Sequence, residues 1–166
     1  AQEIALHLKS HFPRPHLVVV LKGSYYFFSL LSLSMMSSGA GFDVSFVAAG
    51  SYRGTERDEL KVGAVEVGDL SGRDVVIVED IVDSGVTLKG VVERVREGRP
   101  KSVQAVTMLE KRNVVRSADA GCPVIAGFSV DDEFVVGAGM DVNERMRDLQ
   151  DLYVLNEEGA RKFAAG

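Results

Sequence analysis

The stretch that decides the fold runs from Val75 to Thr87 and reads VVIVEDIVDSGVT. Its first four residues are β-branched and apolar, which predicts a strand buried on both faces, as in a parallel sheet. After Thr87, apolar residues recur at helical spacing as far as Val95, and Gly98 ends the predicted helix. The loop between this strand and this helix offers backbone N–H groups and the positive end of a helix, which together favour an anion. The acids beside the loop suit ribose hydroxyls or a metal ion.

The same residues resemble the phosphoribosyl pyrophosphate motif of the phosphoribosyltransferases, in which a hydrophobic run precedes Glu-Asp-x-x-Asp-[Ser/Thr]-Gly-x-Thr. No required position is missing, and a motif with this order of acids, hydroxyls and glycine is more specific than a lone glycine pattern. The alternative is an ordinary strand-to-helix turn with an acidic rim. The resemblance implies that Glu79 and Asp80 hold the ribose hydroxyls and Mg²⁺. It also implies a 5′-phosphate cradle made of Asp83, Ser84, Gly85, Val86 and Thr87.

Composition limits the class of protein. The chain has 166 residues, of which 46% are hydrophobic and 26% charged, as expected for a single globular domain. A net charge of −5 argues against nucleic acid as the main partner, because phosphate backbones attract clustered Lys and Arg. The apolar run from Tyr25 to Met36 is too short to span a bilayer. Cys122 is the only cysteine, which excludes an internal disulfide and fits a cytoplasmic protein.

Helical and strand patterns alternate along the chain, which predicts an α/β fold with parallel strands joined by right-handed crossovers. A short amphipathic helix is predicted before the first strand, and a largely buried helix between the first and second strands. A final helix is predicted from Asn156, a good N-cap residue, through Lys162. Besides the central strand, we expect strands at Leu17–Leu21, Val44–Ala48, Ala64–Val67, Val103–Leu109 and Pro123–Phe128.

The end of the first predicted strand carries a second resemblance. The triplet of Leu21, Lys22 and Gly23 is similar to the pyrophosphate loop of the purine-salvage branch of the family. In that branch the loop contains a non-proline cis peptide and binds pyrophosphate largely through its amides. The resemblance also places Arg147 at the pyrophosphate. Taken alone, the triplet would be only a lysine at an exposed strand end.

A long polar segment from Gly50 to Gly63 has no reliable periodicity. Loops of this length in a compact domain are usually either functional or disordered. Ser51 and Tyr52 resemble the serine and tyrosine of the mobile lid in the same enzymes, although the glycine that follows the pair there stands one place later, at Gly54. A lid would keep water from a reactive glycosyl cation. The alternative is a disordered surface loop.

The resemblance continues into a base-recognition segment. Lys111 aligns with the lysine that donates to the 6-oxo group of a purine, Phe134 with the aromatic residue that stacks on the base, and Val135 with the residue whose backbone faces its edge. Phe134 could equally belong to the core. Asp141 aligns with an acid near a second metal ion. Two positions depart from the family, since Val142 replaces a usually aromatic residue and Met146 stands where a tyrosine commonly precedes the arginine.

Together these resemblances imply a parallel-sheet phosphoribosyltransferase core, at about residues 1–111, and a small C-terminal base-binding hood at about 112–166. We expect the chain to be shorter before its first strand than most family members. The implied reaction is Mg²⁺-dependent transfer of ribose 5-phosphate to N9 of hypoxanthine or guanine, with Asp83 receiving the proton at N7. The implied partners are these small substrates, without nucleic acid or membrane, and the implied assembly is a homodimer or homotetramer. A regulatory protein that binds nucleic acid with this fold, or a transferase for xanthine or a pyrimidine, remains an alternative.

Overall fold

The computed structural model describes residues 1–51, 60–62, 69–112 and 120–164. Within them four helices and eight strands are defined. The helices are α1 (Gln2–His11), α2 (Tyr25–Ser37), α3 (Val86–Glu97) and α4 (Glu157–Ala164). The strands are β1 (His16–Leu21), β2 (Asp43–Ser51), β3 (Leu60–Val62), β4 (Asp74–Val82), β5 (Ser102–Lys111), β6 (Val124–Val130), β7 (Val135–Val136) and β8 (Tyr153–Val154). None of the helices in these ranges has the length and hydropathy that crossing a membrane requires.

The main sheet has the strand order β3-β2-β1-β4-β5-β6, in which all neighbours are parallel except β2 and β3. The chain moves outward from β1 to β2 and then returns to add β4 on the other side of β1. This reversal of strand order lies between β1 and β4, and ligands of open α/β sheets bind at such a point. Pairing of β1 with β4 ends at Val19 and Val78, so the two strands part before their carboxyl ends. The predicted parallel α/β fold is confirmed.

Two apolar cores lie on the two faces of the sheet. Helices α1 and α2 contribute Leu8 and Leu31 to one core, which also takes Leu17 of β1. Helix α3 contributes Leu88 and its other buried residues to the second core, on the face to which Val18 points. The apolar run in β4 therefore needs apolar residues at every position, because consecutive side chains alternate between the two cores.

Helix α2 is less buried than its sequence predicts. Phe27, Leu31 and Met35 are buried, but Leu30 is 41% exposed and Leu33 is 58% exposed. This helix carries four serines and no charged residue; one side of it packs on the sheet, and the other side is covered by nothing in the described part of the chain. A predominantly apolar and uncharged helix predicts burial, but it does not reveal whether the same chain supplies both neighbours.

The strands extend further than expected at the carboxyl end of the sheet, where the acids lie. Strand β4 continues through Val82, so Glu79 and Asp80 lie within the strand and not after it. Strand β6 pairs in parallel with β5 and adds to the main sheet, which therefore continues past the expected core boundary near residue 111. The division into core and hood stays a prediction, with β7, β8 and α4 as the described elements after the sheet. The strand predicted at residues 64–67 lies outside the described residues.

Candidate functional site

A cavity of about 200 Å³ opens at the carboxyl ends of β4 and β5, next to the reversal of strand order. Most of its polar residues are acidic, and Lys111 is the cation among the described residues that line it. Its remaining walls are apolar and include an aromatic ring. The lining comprises Asp80, Ile81, Asp83, Lys111, Glu133, Phe134, Val135, Met140 and Asp141.

The loop between β4 and α3 forms one side of this region. Gly85 is the N-cap residue of α3 and has φ +81, a left-handed conformation that glycine adopts without a steric penalty. The cap makes no side-chain hydrogen bond to the helix. Amides of the first helical turn have no partner inside a helix, so the start of α3 at Val86 can receive an anion. The role of this loop as a cradle for the 5′-phosphate stays a prediction.

The two acids within β4 are differently placed. Glu79 is only 5% exposed, and burial, followed by the nearby charge of Asp80, raises its pKa well above the usual range. Burial also raises the pKa of Asp80, against the opposing effect of a hydrogen bond of 2.8 Å that its Oδ1 accepts from the Ile81 amide. Asp80 lines the cavity, whereas Glu79 does not appear among its lining residues. Of the two, Asp80 is the one in direct reach of a ligand.

Lys111, the last residue of β5, is largely buried and holds two carboxylates. Its Nζ lies 3.1 Å from Oδ2 of Asp83 and 2.9 Å from Oδ1 of Asp132. The structure thus brings together the expected proton acceptor and the expected base-recognition lysine across 28 residues of sequence. Asp132 had no role in the sequence prediction.

Phe134 stands at the cavity with 54% of its surface exposed. A phenylalanine of the core would be buried, so its exposure argues against the core interpretation and leaves a ring face available for stacking. Val135 follows in β7 and also lines the cavity. Glu133 lines the cavity as well; it is the third of three consecutive acids, and it had no individual role in the sequence prediction.

The residues expected at the pyrophosphate meet through an unpredicted acid. Glu144 Oε2 lies 2.9 Å from Nζ of Lys22 and 3.5 Å from an Nη atom of Arg147. Arg147 also contacts Asp141 at 2.9 Å, and its guanidinium donates to the carbonyl of Gly139 at 2.9 Å. The loop after β1 and the segment after β7 therefore form one charged cluster beside the cavity. Contacts across 122 residues of sequence leave no local pattern that could have revealed Glu144.

The loop after β1 approaches its neighbours very closely. The peptide bond between Leu21 and Lys22 is cis, as the family resemblance implies. A Cβ atom at Gly23 would lie 1.7 Å from Oδ2 of Asp80, and one at Gly139 would lie 2.2 Å from the carbonyl oxygen of Gly23. Only glycine fits at both places without displacement of a neighbour. The predicted pyrophosphate loop is thus in contact with the acidic strand and with the segment that carries Arg147.

The structure describes only part of the segment predicted to form the lid. The backbone of Ser51 ends β2, while Tyr52 lies outside the described residues. Strand β3 pairs antiparallel with the end of β2, so the chain turns back on itself within this segment. The lid stays a prediction.

The acids of the site fit a hard divalent cation bound together with a substrate. Asp80 and Asp141 supply carboxylate oxygens to the same cavity, and such oxygens are the ligands that Mg²⁺ prefers. No group of three or more metal-binding side chains occurs among the described residues. Mg²⁺ commonly takes one or two carboxylates and completes its shell with water and phosphate oxygens.

Comparison with known proteins agrees with this geometry. The family model for the phosphoribosyl transferase domain matches residues 2–143. The hypoxanthine-guanine phosphoribosyltransferase of Canis lupus familiaris is 37% identical over 154 residues, which cover 88% of this chain and 70% of the relative.

Two solved structures of hypoxanthine phosphoribosyltransferase from Trypanosoma cruzi are similar over most of their length. One, in complex with the product IMP, has a TM-score of 0.80 at 28% identity, with 95% of this chain and 86% of that chain covered. The other addresses the role of the C-terminal region in oligomeric state and enzymatic activity, and it has a TM-score of 0.83 at 27% identity, with 99% and 87% covered. The motif, the fold and these similarities together show that this chain belongs to the phosphoribosyltransferase family, among the hypoxanthine-guanine phosphoribosyltransferases.

Proposed function

We propose that this chain transfers the 5-phosphoribosyl group of phosphoribosyl pyrophosphate to N9 of hypoxanthine or guanine and releases pyrophosphate. The observation that carries the proposal is the contact of Asp83 with Lys111 in a cavity that also presents Phe134. This combination offers a proton acceptor, a donor for a 6-oxo group and a stacking face beside an anion-binding loop. The relatives named hypoxanthine-guanine phosphoribosyltransferase support the same reaction.

The phosphoribosyl group would be held at the start of α3. Amides and hydroxyls from Asp83 to Thr87 would surround the 5′-phosphate, and the positive end of α3, which begins at Val86, would favour its charge. Asp80, with Glu79 behind it in β4, would receive the ribose hydroxyls. Both carboxyls have raised pKa values in the protein alone, so a bound cation would favour their charged forms.

The leaving pyrophosphate would lie between Lys22, the amide of Gly23 and Arg147. Glu144 already holds both cations together, and the incoming anion would compete for them. Bound Mg²⁺, with Asp80 and Asp141 as its protein ligands and Glu79 near them, would supply positive charge that stabilises the departing anion. Ser51 and Tyr52 would help to exclude water from the ribose as it becomes cationic.

The base would stack on Phe134 with its edge at the backbone of Val135. Lys111 would donate to the 6-oxo group, and the same ammonium would meet an unfavourable partner in the amino group of adenine. Asp83 would accept the proton that must leave the imidazole ring after N9 attacks. This division gives Phe134, Lys111 and Asp83 separate tasks in one reaction.

One experiment tests the proposal against its alternatives. Pyrophosphate release is measured with hypoxanthine, guanine, xanthine, uracil or no base, each with Mg²⁺ and with excess chelator. We expect turnover with hypoxanthine and guanine only, and none in chelator, because the substrate brings several negative charges to an acidic site. Turnover with uracil would indicate a pyrimidine enzyme, and turnover with xanthine a broader purine enzyme. Absence of turnover with every base would favour a regulatory protein of this fold.

We also propose that the protein acts in the cytoplasm as a homodimer or homotetramer. The exposed side of α2 supports an assembly through this helix, because its thirteen residues include no charged side chain. Leu30, Leu33 and Met36 are exposed on it, and Phe46 of the adjoining β2 is 49% exposed. Apolar patches of this kind usually mark contact surfaces, and an uncharged patch can meet its own copy about a two-fold axis.

A further inference from the structure

Lys111 is placed between two carboxylates, one from each side of its β strand. Nζ lies 3.1 Å from Asp83 and 2.9 Å from Asp132, and the lysine side chain is only 12% exposed. An ammonium group has three N–H donors, so contacts to two carboxylates leave one donor for a ligand. Because Lys111 lines the cavity, that donor is available to a base bound there.

The two carboxylates differ in position. Asp83 lines the cavity, whereas Asp132 does not appear among the described residues that line it. Asp132 lies in the connection between β6 and β7, and its side chain is 67% exposed. It therefore reaches the lysine from outside the cavity, where no base would displace it. Asp83 reaches the same lysine from inside, where a base would.

We infer that Asp132 is a positioning residue, which holds the ammonium group of Lys111 at the cavity wall while Asp83 turns to the base. This inference rests on the proposed function. With Asp83 as its single anchor, Lys111 would be oriented by the group that has to leave it during the reaction. A second carboxylate that does not contact the base removes this difficulty.

The charges around Lys111 agree with this role. Burial lowers the pKa of the Lys111 ammonium, but hydrogen bonds to Asp132 and Asp83 outweigh burial and raise it above the usual value. The lysine is then a permanent donor at neutral pH, which suits a carbonyl group and disfavours an amino group. Three other acids, Asp80, Glu133 and Asp141, face the same cavity and add to the negative potential that keeps the lysine charged.

The test is steady-state kinetics of Asp132→Asn, which preserves shape and removes the charge. We expect the KM for hypoxanthine to rise roughly tenfold, near the lower end for loss of a charge-assisted hydrogen bond, because the amide can still accept a neutral one. The KM for phosphoribosyl pyrophosphate should stay within about twofold, since Asp132 is not among the residues proposed to hold the phosphate or the pyrophosphate. A loosely held lysine should also discriminate less between hypoxanthine and adenine.

Three variants make the result specific. Asp131→Asn is the matched control, because Asp131 is also exposed and its carboxylate lies 3.9 Å from Arg112 instead. Both KM values should stay within about twofold in that variant. Asp132→Glu keeps the charge and should recover most of the affinity for hypoxanthine. Lys111→Ala removes the positioned ammonium group itself. The rise in its KM for hypoxanthine is therefore the upper limit for the effect of Asp132→Asn.

Three results would overturn the inference while leaving the proposed function intact. They are an unchanged KM for hypoxanthine in Asp132→Asn, equal rises in both KM values, and an Asp132→Glu variant as impaired as the amide. The unmodified protein is measured first with the same bases. If it transfers to none of them, the proposed function fails and the role of Asp132 fails with it, so the two failures are separated.

Discussion

At the scale of single residues, Asp83 is the most informative position. A carboxylate beside a helix N-terminus and an anion-binding loop repels the phosphate that the loop is built to hold, so binding alone does not explain it. Lys111 at 3.1 Å offsets part of this repulsion. Transfer to a purine supplies the missing reason, because a proton has to leave the imidazole ring. In the proposed function, the same pair of residues would serve proton transfer and recognition of the base.

Asp83→Asn should therefore lower kcat by about 10²–10⁴, the range usual for general-base catalysis. Binding of phosphoribosyl pyrophosphate should be retained or slightly tighter, because the amide does not repel the phosphate. The measurement is kcat from pyrophosphate release, combined with substrate affinity by calorimetry on the same folded variant. An unchanged kcat would reduce Asp83 to a structural loop residue.

Which contacts the sequence predicts at this scale depends on how many residues of sequence separate the two partners. The phosphate loop is contiguous from Asp83 to Thr87, so its pattern is visible without a structure. Asp132 contacts Lys111 across 21 residues, and Glu144 contacts Lys22 across 122. Such contacts depend on the strand order and on the path of the loops, which no local pattern records. The contacts of Asp132 and Glu144 were missed for this reason.

At the scale of secondary-structure elements, close backbone approach joins the loop after β1 to the segment after β7. Gly139 has φ +99, and a Cβ there would meet the Gly23 carbonyl at 2.2 Å. Gly72 has φ +69, yet a Cβ there would meet nothing within 4 Å. The two glycines share a conformational requirement and differ in steric surroundings, which makes them a matched pair.

Gly72→Ala should destabilise the fold by about 1–2 kcal/mol, the penalty for an L-residue in the left-handed region, and should leave the KM for phosphoribosyl pyrophosphate unchanged. Gly139→Ala should destabilise it further and raise that KM several-fold, because it displaces the predicted pyrophosphate loop. Denaturant unfolding and initial rates measure the two effects. Equal behaviour of the two variants would mean that the close approach does not shape the site.

Ion pairs connect the amino ends of the strands, on the side of the sheet opposite to the cavity. Asp43 at the start of β2 contacts Arg14, before β1, at 2.7 Å, and it also pairs with Arg73, before β4. Hydrogen bonds from Arg14 and then Arg73 lower the pKa of Asp43 to about 2. A carboxyl whose pKa is lower in the folded protein stabilises the fold above its unfolded pKa, near 3.9, and loses that effect as the pH falls toward 2.

Asp43→Asn should accordingly lower the Tm at pH 7, and the difference from the unmodified protein should shrink between about pH 4 and pH 2. Thermal unfolding followed by circular dichroism over this range gives the result. Glu93→Gln, which changes an exposed acid on α3, serves as the control and should show a small and nearly constant difference. A difference for Asp43→Asn that does not depend on pH would exclude the ion pairs as its cause.

Whether a segment forms a helix or a strand was predictable, because the hydrophobic periodicities are strong. The residues at which each element begins and ends were harder to predict. The run from Val75 to Val78 indicates a strand, but the strand continues through Glu79 and Asp80. Backbone pairing with β5 does not depend on side-chain polarity, so acids can occupy the carboxyl end of β4 beside the cavity. Asn156 behaves as predicted, because its Oδ1 accepts a hydrogen bond of 2.8 Å from the Gly159 amide. Capping is a local interaction, and the sequence therefore contains the whole signal.

At the scale of the whole molecule, the order of strands explains why distant motifs share one site. The reversal between β1 and β4 places the loop after Leu21 beside the loop after Val82, with β5 adding Lys111 on the far side. The carboxyl ends of parallel strands lie at the same end of the sheet, so three loops that are far apart in sequence lie next to one another there. The amino ends of the strands lie on the opposite side of the sheet. The ion pairs of Asp43 there contribute to the stability of the fold and take no part in the site.

The uncharged side of α2 gives the prediction that concerns assembly. Leu33 is 58% exposed on a helix without charged residues, beside Phe46 of β2. If this surface meets its own copy, Leu33→Glu places two like charges at a two-fold contact and should convert the assembly to monomers. The Tm of the unmodified protein should rise with protein concentration, and that dependence should be lost in the variant.

Size-exclusion chromatography with light scattering measures the mass at several dilutions, and pyrophosphate release per chain is recorded alongside. Phe128→Glu is the control, because Phe128 is 68% exposed on β6, at the edge of the sheet away from β2. That variant should keep the contact made by α2. A Leu33→Glu protein with the mass of the unmodified one would place the interface elsewhere.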